Sequence, residues 1–221
     1  MNELFSLAGQ VAVVTGALGR LGPVWVEALL EAGATVAGVD LAAEVPKGGF
    51  AQLQQQQGPQ RLRYYQANVV ERRSLERACQ QLEQQLGPVT IVVNNAGIDQ
   101  PPGEVTSYEL WDWPERQFYD VFAVNVMGAF LTSQVFGRGM CQRRRGAIVN
   151  IGSLYASVSP DARFYAHIKN DPPFLKPPAY GASKAALVNL TRYLATHWPP
   201  TPPPPPPPSG NNFALMWIGC C

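Results

Sequence analysis

Three glycines in the run Val11-Ala-Val-Val-Thr-Gly-Ala-Leu-Gly-Arg-Leu-Gly22 stand where a short apolar segment gives way to helical spacing. Strand, glycine-rich turn and helix N-terminus, in that order, set unpaired backbone N–H groups against an anion, and the arrangement suits the phosphates of a dinucleotide. The turn offers Gly16, Leu18, Gly19, Arg20, Leu21 and Gly22 as cofactor contacts. Asp40 closes the next apolar run, about 20 residues past the turn, where a carboxylate accepts hydrogen bonds from a ribose 2′-hydroxyl and repels a 2′-phosphate. Arg20 points the other way, because a guanidinium holds such a phosphate. The balance favours NAD, with NADP second.

Glycine spacing alone also fits a plain strand–helix corner, so the surrounding elements have to support the reading. Val11 to Val14 is apolar throughout, as a strand buried on both faces is. Leu21, Val24, Trp25, Ala28, Leu29 and Ala32 recur at helical spacing, Pro23 fits a first helical turn, and Gly33 ends the helix. Ala34 to Val39 then gives a second strand, completing a βαβ unit. Further strands are expected at Arg61–Ala67, Val89–Val93 and Ala147–Ile151, with helices at Ser74–Leu86 and from Glu115 to about Met140. The glutamine-rich stretch from Ala51 to Arg61 reads as a solvated helix and loop. This alternation predicts an α/β fold, a doubly wound, Rossmann-like parallel sheet whose ligands bind beyond the carboxyl ends of its strands.

Length and composition agree with one such domain. The chain has 221 residues, 46% hydrophobic residues and a formal charge of +1, which is enough for one core and too neutral for a nucleic-acid backbone binder. No basic leader precedes an apolar run at the N-terminus, and no run reads as a membrane span, so no membrane partner and a cytoplasmic location are expected. The four cysteines and two histidines show no metal-ligand spacing, so no metal is expected.

Five motifs now stand in one order: the glycine turn after Thr15, Asn94-Asn-Ala-Gly97, Asn125 in Phe122-Ala-Val-Asn-Val-Met-Gly128, Ser153 in Ile151-Gly-Ser153, and Tyr180-Gly-Ala-Ser-Lys184. From Leu7 to about Trp198 the chain resembles the short-chain dehydrogenases/reductases, compact single-domain branch. The turn departs from the compact pattern: its middle glycine is Gly19, a spacing similar to the extended, nucleotide-sugar-modifying branch. Asn68-Val69 stands where the family commonly has an Asp at the adenine pocket, and an Asn can still hydrogen-bond an adenine edge. The resemblance implies an oxidoreductase moving a hydride between NAD(P) and a small alcohol or carbonyl substrate. It assigns Asn125, Ser153, Tyr180 and Lys184 to catalysis, and Asn95, Ala96, Gly97, Tyr180 and Lys184 to the cofactor beside the glycine turn and Asn68-Val69. A homo-oligomer is implied as well.

A free tyrosine, with a pKa near 10, is a poor base at neutral pH, and a cation one helical turn away corrects this. Lys184 lies four residues after Tyr180, hence on the same helix face. By resemblance it also binds the nicotinamide ribose, Ser153 bonds the substrate oxygen, and Asn125 holds a water linking Lys184 to solvent. Tyr165 and Lys169 form a competing pair, and Tyr165 is nearer the family's usual distance from Ser153. Context selects Tyr180, because it opens a clear helix whereas Tyr165 sits among loop residues; Asp161–Pro178 is read as an insertion. His167 in that insertion, and Asp99 and Gln100 after the fourth strand, are lesser candidates for touching substrate.

After Trp198 the resemblance stops. A proline run to Pro208 is expected as an extended spacer, making residues 1–198 the domain, apparently incomplete, and 199–221 a disordered tail. The family's last strands are not recognisable there, although Phe213 to Ile218 offers apolar cover for the fifth strand. A catalytically impaired, dinucleotide-binding remnant is the alternative function.

Overall fold

The computed structural model describes residues 5–100, 107–197 and, as backbone, 213–218. Strands β1 (Val11–Thr15), β2 (Thr35–Asp40), β3 (Leu62–Gln66), β4 (Ile91–Asn94), β5 (Gly146–Ile151) and β6 (Phe213–Ile218) form a single sheet in the order β3-β2-β1-β4-β5-β6. Every neighbouring pair is parallel. The order reverses direction between β1 and β4, which opens a crevice at the carboxyl ends of those two strands.

β1 is buried at all five positions because both faces of the sheet are covered. Helices α1 (Gly22–Glu31) and α2 (Gly49–Gln57) belong to the layer around Ala12, Val14, Val26, Leu30, Phe50 and Leu53. On the other face, α3 (Arg72–Leu86) and α5 (Ala129–Arg143) close over Val13, Val39, Leu75, Leu82, Phe136 and Met140. α4 (Glu115–Phe122) runs through a π-helical segment, Ala123–Gly128, directly into α5. By length and hydropathy alone this continuous helix, Glu115–Arg143, suffices to cross a membrane, contrary to the reading of the sequence. It serves instead as a core helix, burying Val121, Ala129, Phe136 and Met140. The last long helix, α6 (Pro178–His197), buries Ala179, Ser183, Lys184, Leu187, Thr191 and Leu194.

Three expectations need adjusting. The glutamine-rich stretch is not merely solvated: Phe50 and Leu53 anchor α2 at 2% and 8% exposure. α3 starts earlier than Ser74, whose hydroxyl instead accepts from the N–H of Asn68 at 3.1 Å. Of the expected tail, Phe213–Ile218 pairs with β5 along its whole length, from Gly146 opposite Phe213 to Ile151 opposite Ile218. β5 is therefore an interior strand and not an apolar edge, the aggregation hazard that an unpaired strand presents. The proline run and Cys220-Cys221 lie outside the described residues.

Candidate functional site

The glycine turn sits at the crevice, and its conformation explains its composition. Gly16 has φ +64°, and a Cβ there would lie 2.7 Å from Ala96 Cα, so no other residue fits without moving the loop after β4. A Cβ on Gly22 would meet the carbonyl oxygen of Ala17 at 2.4 Å. α1 begins at Gly22 with no side chain capping its N-terminus, which leaves first-turn N–H groups free to bind an anion from outside the chain.

Asp40 has two tasks. Its carboxylate accepts from the N–H of Leu18 at 2.9 Å and of Leu41 at 2.7 Å, tying the end of β2 to the turn. It also lines a cavity of about 580 Å³ together with the turn residues Gly16, Leu18, Gly19, Arg20 and Leu21. Asn68, Val69, Asn95, Ala96 and Gly97 complete most of the same wall. Every residue expected at the cofactor from the strand ends therefore converges here, except Gly22, which shapes the turn from behind. Leu41, Ala67, Ile98 and Val124 line it too and carry no motif by which sequence could have found them.

The loop after β4 is fixed by its asparagines. Asn95 Nδ2 donates to the carbonyls of Thr15 and Gly16 at 3.0 and 2.9 Å, while its Oδ1 accepts from Trp25 Nε1 at 3.1 Å. Thr15 Oγ1 accepts from the N–H groups of Asn95 and Ala96. Thr15, the residue at the head of the turn, therefore locks turn and loop together. Asn68 is partly engaged by its own loop: Nδ2 donates to Glu71 Oε1 at 2.8 Å and Oδ1 accepts from Val70 N–H at 3.2 Å. One N–H and one lone pair remain for a ligand.

The acid–base candidates lie on α6 and the segments it touches. Tyr180 and Lys184 are one turn apart, with Lys184 Nζ 5.8 Å from the centre of the Tyr180 ring. Tyr180 lies in the first turn of α6, where the helix dipole favours negative charge. Lys184 is 5% exposed, and its ammonium donates to the carbonyl of Ile151 at 2.7 Å. Ser153, buried just beyond β5, accepts from the N–H of Tyr155, whose ring meets that of Tyr180 edge-on at 6.4 Å.

Asn125 occupies the π-helical segment, 1% exposed. Its Oδ1 accepts from Ile98 N–H at 2.8 Å, and its Nδ2 donates to Ile98 O and Ser183 Oγ, both at 2.9 Å. The extra residue in this turn turns Asn125 toward the loop after β4 and α6 rather than along its own helix. A Cβ on Gly97 would stand 3.3 Å from Asn125 Oδ1 and 3.5 Å from Lys184 Nζ, so both candidate groups approach Gly97, which lines the cavity beside the glycine turn.

The competing pair is arranged differently. Lys169 is exposed and donates to Ala166 O at 3.4 Å, within its own loop. Tyr165 shares a 2.6 Å hydrogen bond with Tyr155. Burial, that hydrogen bond and the nearby negative charges push Tyr165 up to about 12, the wrong direction for a base. His167 is exposed in the same insertion. Asp99 pairs with Lys176 at 2.5 Å, and Lys176 Nζ stands 5.3 Å from the centre of the Tyr180 ring. Lys176 carried no motif, and its role depends on a partner 77 residues away. Among the described residues no cluster of His, Cys, Asp and Glu is arranged to hold a metal ion.

The sequence model of the family described as short chain dehydrogenase matches residues 10–202. An uncharacterised oxidoreductase, UxuB, of Bacillus subtilis (strain 168) is 34% identical over 205 residues, 89% of this chain and 68% of the relative. The 5-keto-D-gluconate 5-reductase of Escherichia coli (strain K12) is 32% identical, over 87% of this chain and 67% of the relative. Among solved structures, a gluconate 5-dehydrogenase from Burkholderia cenocepacia J2315, in complex with NADP and tartrate, superposes with TM-score 0.72 at 25% identity. That alignment covers 88% of this chain and 68% of the other. The chain thus spans about two thirds of the length of the proteins it matches.

Proposed function

The chain belongs to the short chain dehydrogenase family of NAD(P)-dependent oxidoreductases, and from that premise we propose that it interconverts a small alcohol and its carbonyl compound with NAD as the partner. The observation that carries the reading is the approach of both Asn125 and Lys184 to Gly97, which sets the dinucleotide cavity next to the lysine that neighbours Tyr180. The nicotinamide, when bound, accepts or supplies the hydride. The fit rests on the cradle: Gly16 admits no Cβ, and the α1 N-terminus is uncapped.

In this reading Tyr180 takes the hydroxyl proton in oxidation and returns it in reduction. Lys184 favours the phenolate and holds the nicotinamide ribose, Ser153 bonds the substrate oxygen, and Asn125 orders the path from Lys184 to solvent. Gly16, Leu18, Gly19, Arg20, Leu21 and Gly22 cradle the phosphates, Asn68 and Val69 take the adenine, and Asn95, Ala96 and Gly97 flank the nicotinamide side. Asp40 supports NAD over NADP, because it lines the cavity that a 2′-phosphate would enter and its negative charge opposes one there. Residues 1–198 act as one domain together with strand β6, Phe213–Ile218, in a cytoplasmic homo-oligomer.

The test is NAD reduction with a panel of alcohols, polyols and sugar acids, in the parent chain and in Tyr180→Phe and Tyr165→Phe. Turnover is expected to survive in Tyr165→Phe and to fall at least about a hundredfold in Tyr180→Phe, the usual scale of general acid–base catalysis. Undiminished turnover in Tyr180→Phe overturns the assignment. NAD binding without turnover of any panel member in the parent supports a binding-only protein instead.

A further inference from the structure

Lys176 is the most buried cation beside Tyr180 that the proposed reaction leaves unused. Its side chain is 17% exposed, whereas its partner Asp99 is 46% exposed, so the lysine is held mostly inside the protein and the aspartate reaches toward the surface. The two come from distant segments, the loop after β4 and the stretch just before α6, and meet next to the Tyr180 ring. Lys176 also lines a second cavity of about 540 Å³, bounded by Tyr155, Tyr165, Trp113, Leu175 and Gly181. Tyr155, on this cavity's wall, packs edge-on against the Tyr180 ring with 6.4 Å between centroids.

An ammonium has three N–H donors, and Asp99 takes one of them; a carboxylate has room for about four acceptor contacts, and Lys176 fills one. The pair is neutral overall, so it selects no net charge. What it presents is a donor and an acceptor side by side, the complement of two adjacent hydroxyl groups: one hydroxyl oxygen accepts from Lys176 while its neighbour donates to Asp99. On the Lys176 side of the pair, the Tyr155 and Tyr165 hydroxyls add further polar atoms to the cavity that Lys176 lines. A simple alcohol would leave the pair unsatisfied by ligand and would strip it of water for no return.

We propose that Lys176 and Asp99 are the specificity-determining pair for a polyhydroxylated substrate, reading a vicinal diol next to the carbon that reacts at Tyr180. This rests on the reading of Tyr180 as the proton carrier, and it names the substrate class for that same site. Losing one charge-assisted hydrogen bond reduces selection by about ten- to a hundredfold.

The experiment compares D-glucitol with cyclohexanol, which has the same carbon count and a single hydroxyl. The parent, Asp99→Asn, Lys176→Gln and the double variant are assayed as full chains saturated with NAD, by turnover and by titration calorimetry. The parent is expected to prefer D-glucitol. Each single variant should reduce the D-glucitol-to-cyclohexanol ratio of kcat/KM, and of affinity, by about ten- to a hundredfold, with little further loss in the double variant because one unit is already broken. A pair acting only as a latch would depress both ligands together and leave the ratio in place, which overturns the proposal. A parent without preference for D-glucitol overturns it as well. Calorimetry on Tyr180→Phe separates this from the proton-carrier assignment. A polyol preference retained there, with turnover lost, supports both. Turnover retained in Tyr180→Phe overturns that assignment and with it the placement of the diol; a ratio unmoved by the pair variants while Tyr180→Phe is inactive overturns this inference alone.

Discussion

Replacing Asn125 by alanine removes three hydrogen bonds from a side chain that is 1% exposed: one accepted from Ile98 N–H and two donated, to Ile98 O and Ser183 Oγ. The three losses are unequal. The Ser183 hydroxyl still donates to Tyr180 O at 2.7 Å, so it loses an incoming bond and keeps its outgoing one. Ile98 is half-buried, so water reaches its freed N–H and C=O in part. A fully buried orphan costs about 1–3 kcal/mol, and a solvated one much less. Taking the two Ile98 groups at the low end of that range, with a smaller contribution from Ser183, the expected loss is about 2–3 kcal/mol. Urea unfolding of the parent and variant should show this as a lower midpoint at unchanged slope. Amide exchange adds a local readout, since Ile98 N–H loses its acceptor and should exchange faster than its neighbours. A loss below about 0.5 kcal/mol, with Ile98 exchange unmoved, would refute the view that Asn125 clamps the loop after β4.

Two further outcomes follow from the titrating groups. Burial, reinforced by the negative charge of Asp40, pushes Tyr64 from its ordinary 10.0 up to about 12. The folded chain therefore holds that proton where the unfolded chain releases it, so this stabilisation is full below pH 10.0 and fades as pH climbs toward about 12. The fall in urea midpoint across that window should be shallower in Tyr64→Phe than in the parent, and equal slopes would contradict the assignment. Burial, with Glu83 adding and Arg143 opposing, pushes the Cys79 thiol up to about 11, and the thiolate is the reactive form. Iodoacetamide at neutral pH should label Cys79 only after unfolding, as read by peptide mapping; prompt labelling of the folded chain would count against it.

The parts of the fold that follow from local chemistry were legible in the residues themselves. Buried parallel strands must be apolar throughout, as β1 is, and the turn after it needs a glycine because Gly16 adopts a positive φ against Ala96. Asp40 was legible as the end of β2, although its bonds to Leu18 and Leu41 were not, since a carboxylate's partners depend on how the turn folds back. Longer-range pairing left fainter traces. The π-helical turn has no sequence code; its only sign is a polar Asn125 in the middle of an apolar helix. α2 was legible as a helix but its anchoring was not, because two apolar residues, Phe50 and Leu53, are too few to give a period among so many glutamines. Lys176 gave no sign at all, because its meaning arises from Asp99 and Tyr180 only once the chain has folded.

The buried polar groups explain why the cavity beside the glycine turn and the candidate acid–base residues keep their alignment although they come from different layers. Asn94, at the end of β4, donates to Asn150 Oδ1 at 2.8 Å, and Asn150, in β5, donates to Thr191 Oγ1 on α6 at 2.8 Å. The same β4 end continues into Asn95, which holds the glycine turn, while the same α6 carries Tyr180 and Lys184. Lys184 closes a second link through Ile151 O, and Asn125 a third through Ser183. Each of these bonds lies in the interior, where a group without a partner is costly, so sliding α6 along the sheet would break several at once. Apolar contacts alone would tolerate such a shift because they carry no direction. The directional bonds fix the register of α6 against β4 and β5, and that register sets the distance from Gly97 to Lys184 on which the proposed chemistry depends.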